Sequence, residues 1–230
     1  MRPVVRWSFG DYTKPESIQC LRHSVSCFKG LYGEKFQYVL CFNGKDNPPD
    51  LKIPVIHQAD FQHTLPYPPW ANAWKLCPPR MDIKVHEIFI DIDLIMHTKW
   101  PFLDQFLNSQ NKVFCTSARN RCYGNYDEMI PQEKVLCTGL FGLPPNFDLE
   151  QKIRENITGP FEGNWFDEQG LLARIFTLHD DFTVVPIDDV TSCRSGMKLG
   201  KYGTHFVGVN HRHQDRWRQY KKNELGGLLL

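Results

Sequence analysis

The sequence has no Cys-x-x-Cys pair among its eight cysteines, at positions 20, 27, 41, 77, 115, 122, 137 and 193, so a zinc-ribbon reading is weak. The opening Met1-Arg2-Pro3-Val4-Val5-Arg6 has no apolar signal-peptide core. The thiols are therefore expected to be reduced, several of them in the core, in a cytoplasmic protein. No apolar run approaches spanning length, so no membrane span is expected, and Leu228-Leu229-Leu230 is too short to anchor anything. Asn156-Ile157-Thr158 is a formal glycosylation sequon, taken as chance without a secretion signal. Net charge is only +1, which argues neither for nor against a polyanionic partner. No nucleic-acid-binding motif is recognisable, and no nucleic-acid partner is expected. There is no internal repeat, low-complexity tract or clean domain boundary, so residues 1–230 are expected to form a single domain.

What is present is globular composition. The 230 residues are 41% hydrophobic and 23% charged, enough for a substantial core without staples. Charge is uneven: from Arg194 to Lys222 there are eight Lys or Arg against one acid, Asp215, a plausible anion-binding end.

The informative stretch is His86-Glu87-Ile88-Phe89-Ile90-Asp91-Ile92-Asp93-Leu94. Its apolar, β-branched run reads as a buried central strand. Side chains at i and i+2 of a strand share a face, so Asp91 and Asp93 are expected to emerge together at its carboxyl end. Two buried carboxylates need a positive partner. Oxygen ligands favour Mg²⁺ or Mn²⁺, and open α/β sheets bind ligands outside the carboxyl ends of their strands. The bland alternative is a solvated acidic turn.

In chain order, Val4 to Phe9 reads as a strand. A helix capped by Thr13 follows, with Pro15 and Glu16 in its first turn. Ile18, Leu21, Val25 and Phe28 make its apolar face, and Gly30 and Gly33 end it. Phe36 to Phe42 is a second strand and Pro54 to His57 a short third. This βαβ opening predicts a largely parallel sheet. His57 to Trp70 is an irregular aromatic loop with prolines at 66, 68 and 69, and Ala71 to Leu76 is helical. Leu94 to His97 is expected to extend past the carboxylates. Pro101 to Leu107 is a helix and Val113 to Thr116 a strand. Val135 to Leu143 is a strand or bend whose glycines let backbone lie close to a ligand. Asp148 caps a helix to Ile157. Asp167 to Phe176 is another, whose leading acids have N-terminal charge compensation as their plain explanation. Phe182 to Pro186 is a late strand, His205 to Val209 a short extended piece, and Arg212 to Lys222 a basic helix.

Four segments in order carry a resemblance. Asn72-Ala73-Trp74-Lys75-Leu76, Pro79-Arg80 and Glu87 to Ile95 resemble the metal-binding region of GT-A-fold glycosyltransferases, most of all glycosyltransferase family 8, the glycogenin and bacterial galactosyltransferase type. Leu136-Cys137-Thr138-Gly139-Leu140-Phe141 resembles that family's Asn-Ala/Ser-Gly strand. Phe166-Asp167-Glu168-Gln169-Gly170-Leu171-Leu172 resembles its Asp-Gln-Asp-x-Leu-Asn helix start. His205-Phe206-Val207-Gly208-Val209-Asn210-His211-Arg212 resembles its His-x-x-Gly-x-x-Lys loop. The resemblance covers roughly residues 4 to 217.

It implies an α/β, GT-A-like single domain: a central mixed, mostly parallel sheet flanked by helices. Residues 1–97 would be the Rossmann-like nucleotide-sugar half ending in Asp-x-Asp, and 98–230 the acceptor and catalytic half. The implied activity is transfer of a sugar from a nucleoside-diphosphate sugar, UDP-linked by default, to a hydroxyl of a glycan or other acceptor, with Mn²⁺ or Mg²⁺ as cofactor. Asp91, Asp93 and His205 would hold the metal, Asp91 also lying near the donor ribose. Phe9, Lys75, Thr138, Gly139 and Gly208 would contact the donor. His211 or Arg212 would stand in for the family's lysine over the phosphates. The carboxylate or amide facing the sugar would be Asp167, Glu168 or Gln169. The loop bearing His205 would close over the donor and exclude water. His57 to Trp70 and Arg119 to Asp127 are candidate acceptor walls. Two sequence departures stand out: Cys137-Thr138 replaces Asn-Ala, and the helix start reads Asp-Glu-Gln.

Three other classes compete. A nucleotidyltransferase or other metal-dependent phosphate enzyme usually has a Gly-rich basic loop after its first strand, and Ser8-Phe9-Gly10-Asp11-Tyr12 is not one. A nucleic-acid-binding module draws on the basic C-terminal stretch. A relative that binds sugar nucleotides without catalysis is the third.

Overall fold

The computed structural model describes residues 1–10, 14–45, 47–61, 75–158, 165–192, 198–208 and 214–227. The first strand β1 (Val4–Phe9) leads into α1 (Pro15–Tyr32), then β2 (Gln37–Phe42) and β3 (Val55–His57). Lys14 holds the N-cap position of α1 with no side-chain cap; Thr13, the expected cap, lies outside the described residues. The helix runs through Gly30, and only Gly33, with φ of 53°, ends it.

Next come β4 (Glu87–Ile90), β5 (Leu94–Met96), α2 (Pro101–Asn108), β6 (Val113–Ser117) and β7 (Leu136–Leu143). The chain continues with α3 (Leu149–Asn156), α4 (Trp165–Thr177), β8 (Phe182–Val185), β9 (Val190–Ser192), β10 (Gly203–His205) and α5 (Gln214–Gly227). Asp148 caps α3 as expected, accepting from the Gln151 backbone N–H at 2.9 Å.

Seven strands form one sheet in the order β3-β2-β1-β4-β7-β6-β8. Four of its six pairings are parallel; β7 runs antiparallel to both β4 and β6. The sheet is therefore mixed and mostly parallel. Helices cover both faces, and β4 is buried on each. Ile88 and Ile90 pack with Leu21, Val25 and Phe28 of α1 in one cluster. Phe89 packs with Leu171, Ile175 and Phe176 of α4 in the other. Two-sided burial explains why β4 reads as a continuous apolar run instead of an alternating one.

A second sheet of three short strands, β5-β10-β9, stands beyond the carboxyl end of β4. β10 pairs antiparallel with β5 and parallel with β9. It is anchored by Ser24 of α1, which takes a bond from the Trp7 indole at 2.9 Å and donates to the Leu94 carbonyl. Helix α5 docks by aromatics: Trp217 and Tyr220 stack at 5.7 Å and bury Phe206 with Ile95 and Cys20. No helix among the described residues is long and apolar enough to cross a membrane.

Candidate active site

The strand that leads to the two acids ends one residue before them. Asp91 and Asp93 sit in a turn joining β4 to β5, closed by the Leu94 N–H on the Asp91 carbonyl at 3.1 Å. The turn, and not the pleat of a strand, turns both carboxylates the same way. It is pinned on both sides: Asp91 N–H donates to the Gly139 carbonyl at 2.8 Å, and Phe206 N–H to the Asp93 carbonyl at 2.8 Å.

His205 arrives through the small sheet, where it lies opposite Leu94. Its Nε2 is 3.0 Å from Asp93 Oδ1 and 3.5 Å from Asp91 Oδ2. One ligand atom from each of Asp91, Asp93 and His205 lies within 4.8 Å of the others, spacing that could hold a metal ion. Asp91 is the open side, with 28% of its side chain exposed against 10% for Asp93 and 7% for His205.

The electrostatics fit a cation. Burial alone would lower the His205 pKa, but Asp93 and Cys137 together outweigh it and hold it well above the ordinary value. Two carboxylates and an imidazole are donors that a divalent cation can use.

A second charged group adjoins the first. Lys75 Nζ is 2.8 Å from Asp91 Oδ1 and 3.6 Å from Glu168 Oε2, and donates to the Thr138 carbonyl at 3.3 Å. Burial pulls the lysine pKa down, yet Asp91 and Glu168 together hold it above its usual value. The Thr138 hydroxyl reaches Glu168 Oε1 at 3.4 Å.

Of the three consecutive residues opening α4, only Glu168 reaches this cluster. Asp167 accepts the Asn125 backbone N–H at 3.3 Å, and Gln169 donates to the Cys122 carbonyl at 3.0 Å. All three are buried, so simple compensation of an exposed helix end does not describe them. The helical turn of about 100° per residue separates their directions.

Burial pushes the Glu168 carboxyl up to about 7, with Lys75 opposing and Asp91 reinforcing. The folded protein therefore binds this proton more tightly than the unfolded chain. The stability it contributes is complete below the ordinary value of 4.5 and lost as pH rises through about 7. Glu168→Gln should gain stability relative to wild type across that window, by at most about 1.4 kcal/mol per pH unit. Paired chemical denaturation at several pH values measures this; a difference flat in pH contradicts it.

Gly139 makes the assembly possible. A Cβ there would lie 2.3 Å from His205 Cε1 and 3.0 Å from Asp91 Oδ2. Gly139→Ala should displace the imidazole and weaken divalent-cation binding at Asp91, Asp93 and His205 by about 10–100-fold, as titration calorimetry would show; unchanged affinity would contradict the packing argument.

Of the other donor-side residues, Phe9 and Gly208 are among the described ones. The Phe9 ring is in the core, stacked on Phe42 at 6.2 Å. Gly208 has φ of 83°, the left-handed region that suits glycine. His211 and Arg212 lie outside the described residues, as do Asn72 to Trp74 and most of the aromatic loop. Within Arg119 to Asp127, Arg121 binds Asp127 and the carbonyls of Ile130, Pro131 and Lys134, which staples that loop.

A buried network escaped the sequence reading. The Arg6 guanidinium donates to Glu87 Oε1 at 3.1 Å, to the Pro78 carbonyl at 2.7 Å and to the Lys75 carbonyl. Arg80 binds the other oxygen, Glu87 Oε2, at 3.0 Å. Glu87 thus ties β1, β4 and the segment carrying Lys75 together. The signal was an acid opening an apolar strand; Arg80 lies seven residues before it, but Arg6 is 81 residues away. The C-terminal stretch is also less positive than its count: Lys198 pairs with Asp188 at 2.6 Å and Arg218 with Glu16 at 2.5 Å.

No protein-family model matches this chain, and no curated protein does. Solved structures do. The galactosyltransferase LgtC, in complex with donor and acceptor sugar analogues, aligns with a TM-score of 0.60 at 11% identity over 97% of this chain and 95% of that one. Mouse xyloside xylosyltransferase 1 aligns at 0.55 and 11% identity, over 92% of this chain and 100% of that one. A glycosyltransferase involved in glycosylation of the major capsid of PBCV-1 aligns at 0.54 and 12% identity, over 95% and 98%. The chain therefore has the GT-A fold of glycosyltransferases along nearly its whole length.

Proposed function

We propose that this protein is a cytoplasmic, metal-dependent glycosyltransferase that moves a sugar from a nucleoside-diphosphate sugar, UDP-linked by default, to a hydroxyl of a glycan or similar acceptor. The observation that carries this reading is the meeting of Asp91, Asp93 and His205 beside Lys75 and Glu168, where β4 ends. The donor and acceptor analogues bound to the LgtC structure support the substrate class.

Asp91, Asp93 and His205 would hold Mn²⁺ or Mg²⁺. A divalent cation there supplies neutralisation of the charge that gathers on the diphosphate as the bond to sugar C1 breaks. Lys75 adds a fixed positive charge and keeps Asp91 in place. Thr138 and Lys75 orient Glu168, the carboxylate proposed to face the sugar. There it either stabilises the oxocarbenium-like transition state or takes the acceptor's proton, for which a pKa near 7 is well matched. Inversion at C1 would mark the base, retention the charge role. Asp167 and Gln169 hold the 122–125 segment against α4.

A panel of nucleotide sugars with Mn²⁺, followed by release of nucleoside diphosphate, tests the reading. Metal-dependent release from one donor or a few is expected. No release from any donor, with no donor bound, would overturn it.

A further inference from the structure

His205 has two ring nitrogens, and only Nε2 faces the acids. Nδ1 faces a thiol: Cys137 Sγ lies 3.5 Å away. Histidines that bind metals usually donate the second N–H to an oxygen, which fixes ring orientation and tautomer. Resting on the metal-site reading above, we infer that Cys137 is the positioning residue that sets the tautomer of His205.

The thiol is itself held. The Cys137 carbonyl accepts from the Thr116 hydroxyl at 2.8 Å and from Cys115 Sγ at 3.3 Å. Both donors come from the point where the β6–β7 register shifts, between Cys115 and Thr116. Cys137 and Gly139 are two apart on β7 and so share a face. Gly139 leaves the space in which the imidazole edge lies, and Cys137 meets its nitrogen. Ring plane and ring rotation are fixed from one strand.

The chemistry of sulfur gives this partner a property that a carboxylate lacks. A thiol both donates and accepts, weakly. Without a cation, Nε2–H donates to Asp93 at 3.0 Å while Nδ1 can accept from the thiol S–H. For Nε2 to offer its lone pair to a cation, the proton must be on Nδ1, with Sγ as its acceptor. Cys137 serves both arrangements without moving, whereas a carboxylate would hold Nδ1 permanently protonated. This residue stands where the resembling family has an amide, so the device belongs to this chain.

The test compares wild type, Cys137→Ala and Cys137→Ser as full-length protein. Mn²⁺ affinity is measured by titration calorimetry, and the His205 tautomer by ¹⁵N shifts of histidine-labelled protein at one Mg²⁺ concentration that just saturates wild type, so that a weaker variant is left partly unloaded. The alanine variant should bind Mn²⁺ about tenfold or more weakly and lose the uniform Nδ1–H signal. Serine should restore most of both, and metal-free melting temperatures should match. Wild-type affinity and tautomer in Cys137→Ala would overturn the inference and leave the metal site standing. Failure of wild type itself to bind Mn²⁺ would overturn both.

Discussion

Asp93→Ala should abolish Mn²⁺-supported turnover, a loss of at least about a hundredfold, while the protein melts as wild type does. Charge stabilisation by a bound cation is worth several kcal/mol in a transition state, and each 1.4 kcal/mol or so is tenfold in rate. Asp93 is nine-tenths buried and meets His205 Nε2 at 3.0 Å, so it is the carboxylate whose loss opens the cluster most. The fold should tolerate the change. Removing one of two like charges relieves repulsion, and the turn is held by backbone bonds from Leu94, Phe206 and Asp91. Steady-state nucleoside diphosphate release, with circular dichroism on the same sample, decides it. Normal turnover by the variant would end the metal assignment.

Glu87→Gln carries the largest expected stability effect. Arg6 and Glu87 side chains are both 0% exposed, and Arg80 6%. Two guanidinium groups share one carboxylate, with Phe89 under Arg6 at 4.3 Å. Taking away that charge leaves two buried cations without their counter-ion, which costs about 3–5 kcal/mol. At roughly 2–4 °C per kcal/mol for a chain of this size, the midpoint should fall by about 10 °C. Because the same network holds the backbone of Lys75 and Pro78, activity at permissive temperature should fall as well. A melting temperature within a degree or so of wild type, where neutral surface changes fall, would show that the network contributes little. Replacing the charged groups together by apolar residues of like volume should cost less than the single change, since buried ion pairs are often near-neutral against a well-packed substitute.

Local signals made much of the fold legible. Proline and cap chemistry placed α2 and α3, and apolar spacing placed α1 and α4. The near-continuous run of β4 marked the sheet centre because burial on both faces removes alternation. The Asp-x-Asp pair was visible as two costly charges after that run. How they come to face one way was not, because a strand and a turn can follow the same three apolar residues, Ile88 to Ile90. The small sheet was the least legible part. β9 and β10 are three residues each; β10 joins the sheet by pairing with β5 about a hundred residues away, and β9 by pairing with β10, which no local window holds. Among Asp167, Glu168 and Gln169, helical phase decided, and phase depends on which face α4 buries. Arg6 and Glu87 were opaque for a related reason: each is ordinary in its own strand, and only parallel pairing of β1 with β4 makes them neighbours. Cys137 looked like a lost amide in sequence; its contact with His205 joins residues 68 apart.

The most direct measurement is calorimetric binding of UDP and GDP to the wild-type protein, with and without Mn²⁺. Binding of one nucleoside diphosphate that requires the cation and disappears in Asp93→Ala is the predicted result. Equal binding with and without Mn²⁺, or binding that survives in Asp93→Ala, would contradict a metal-bridged diphosphate at the end of β4.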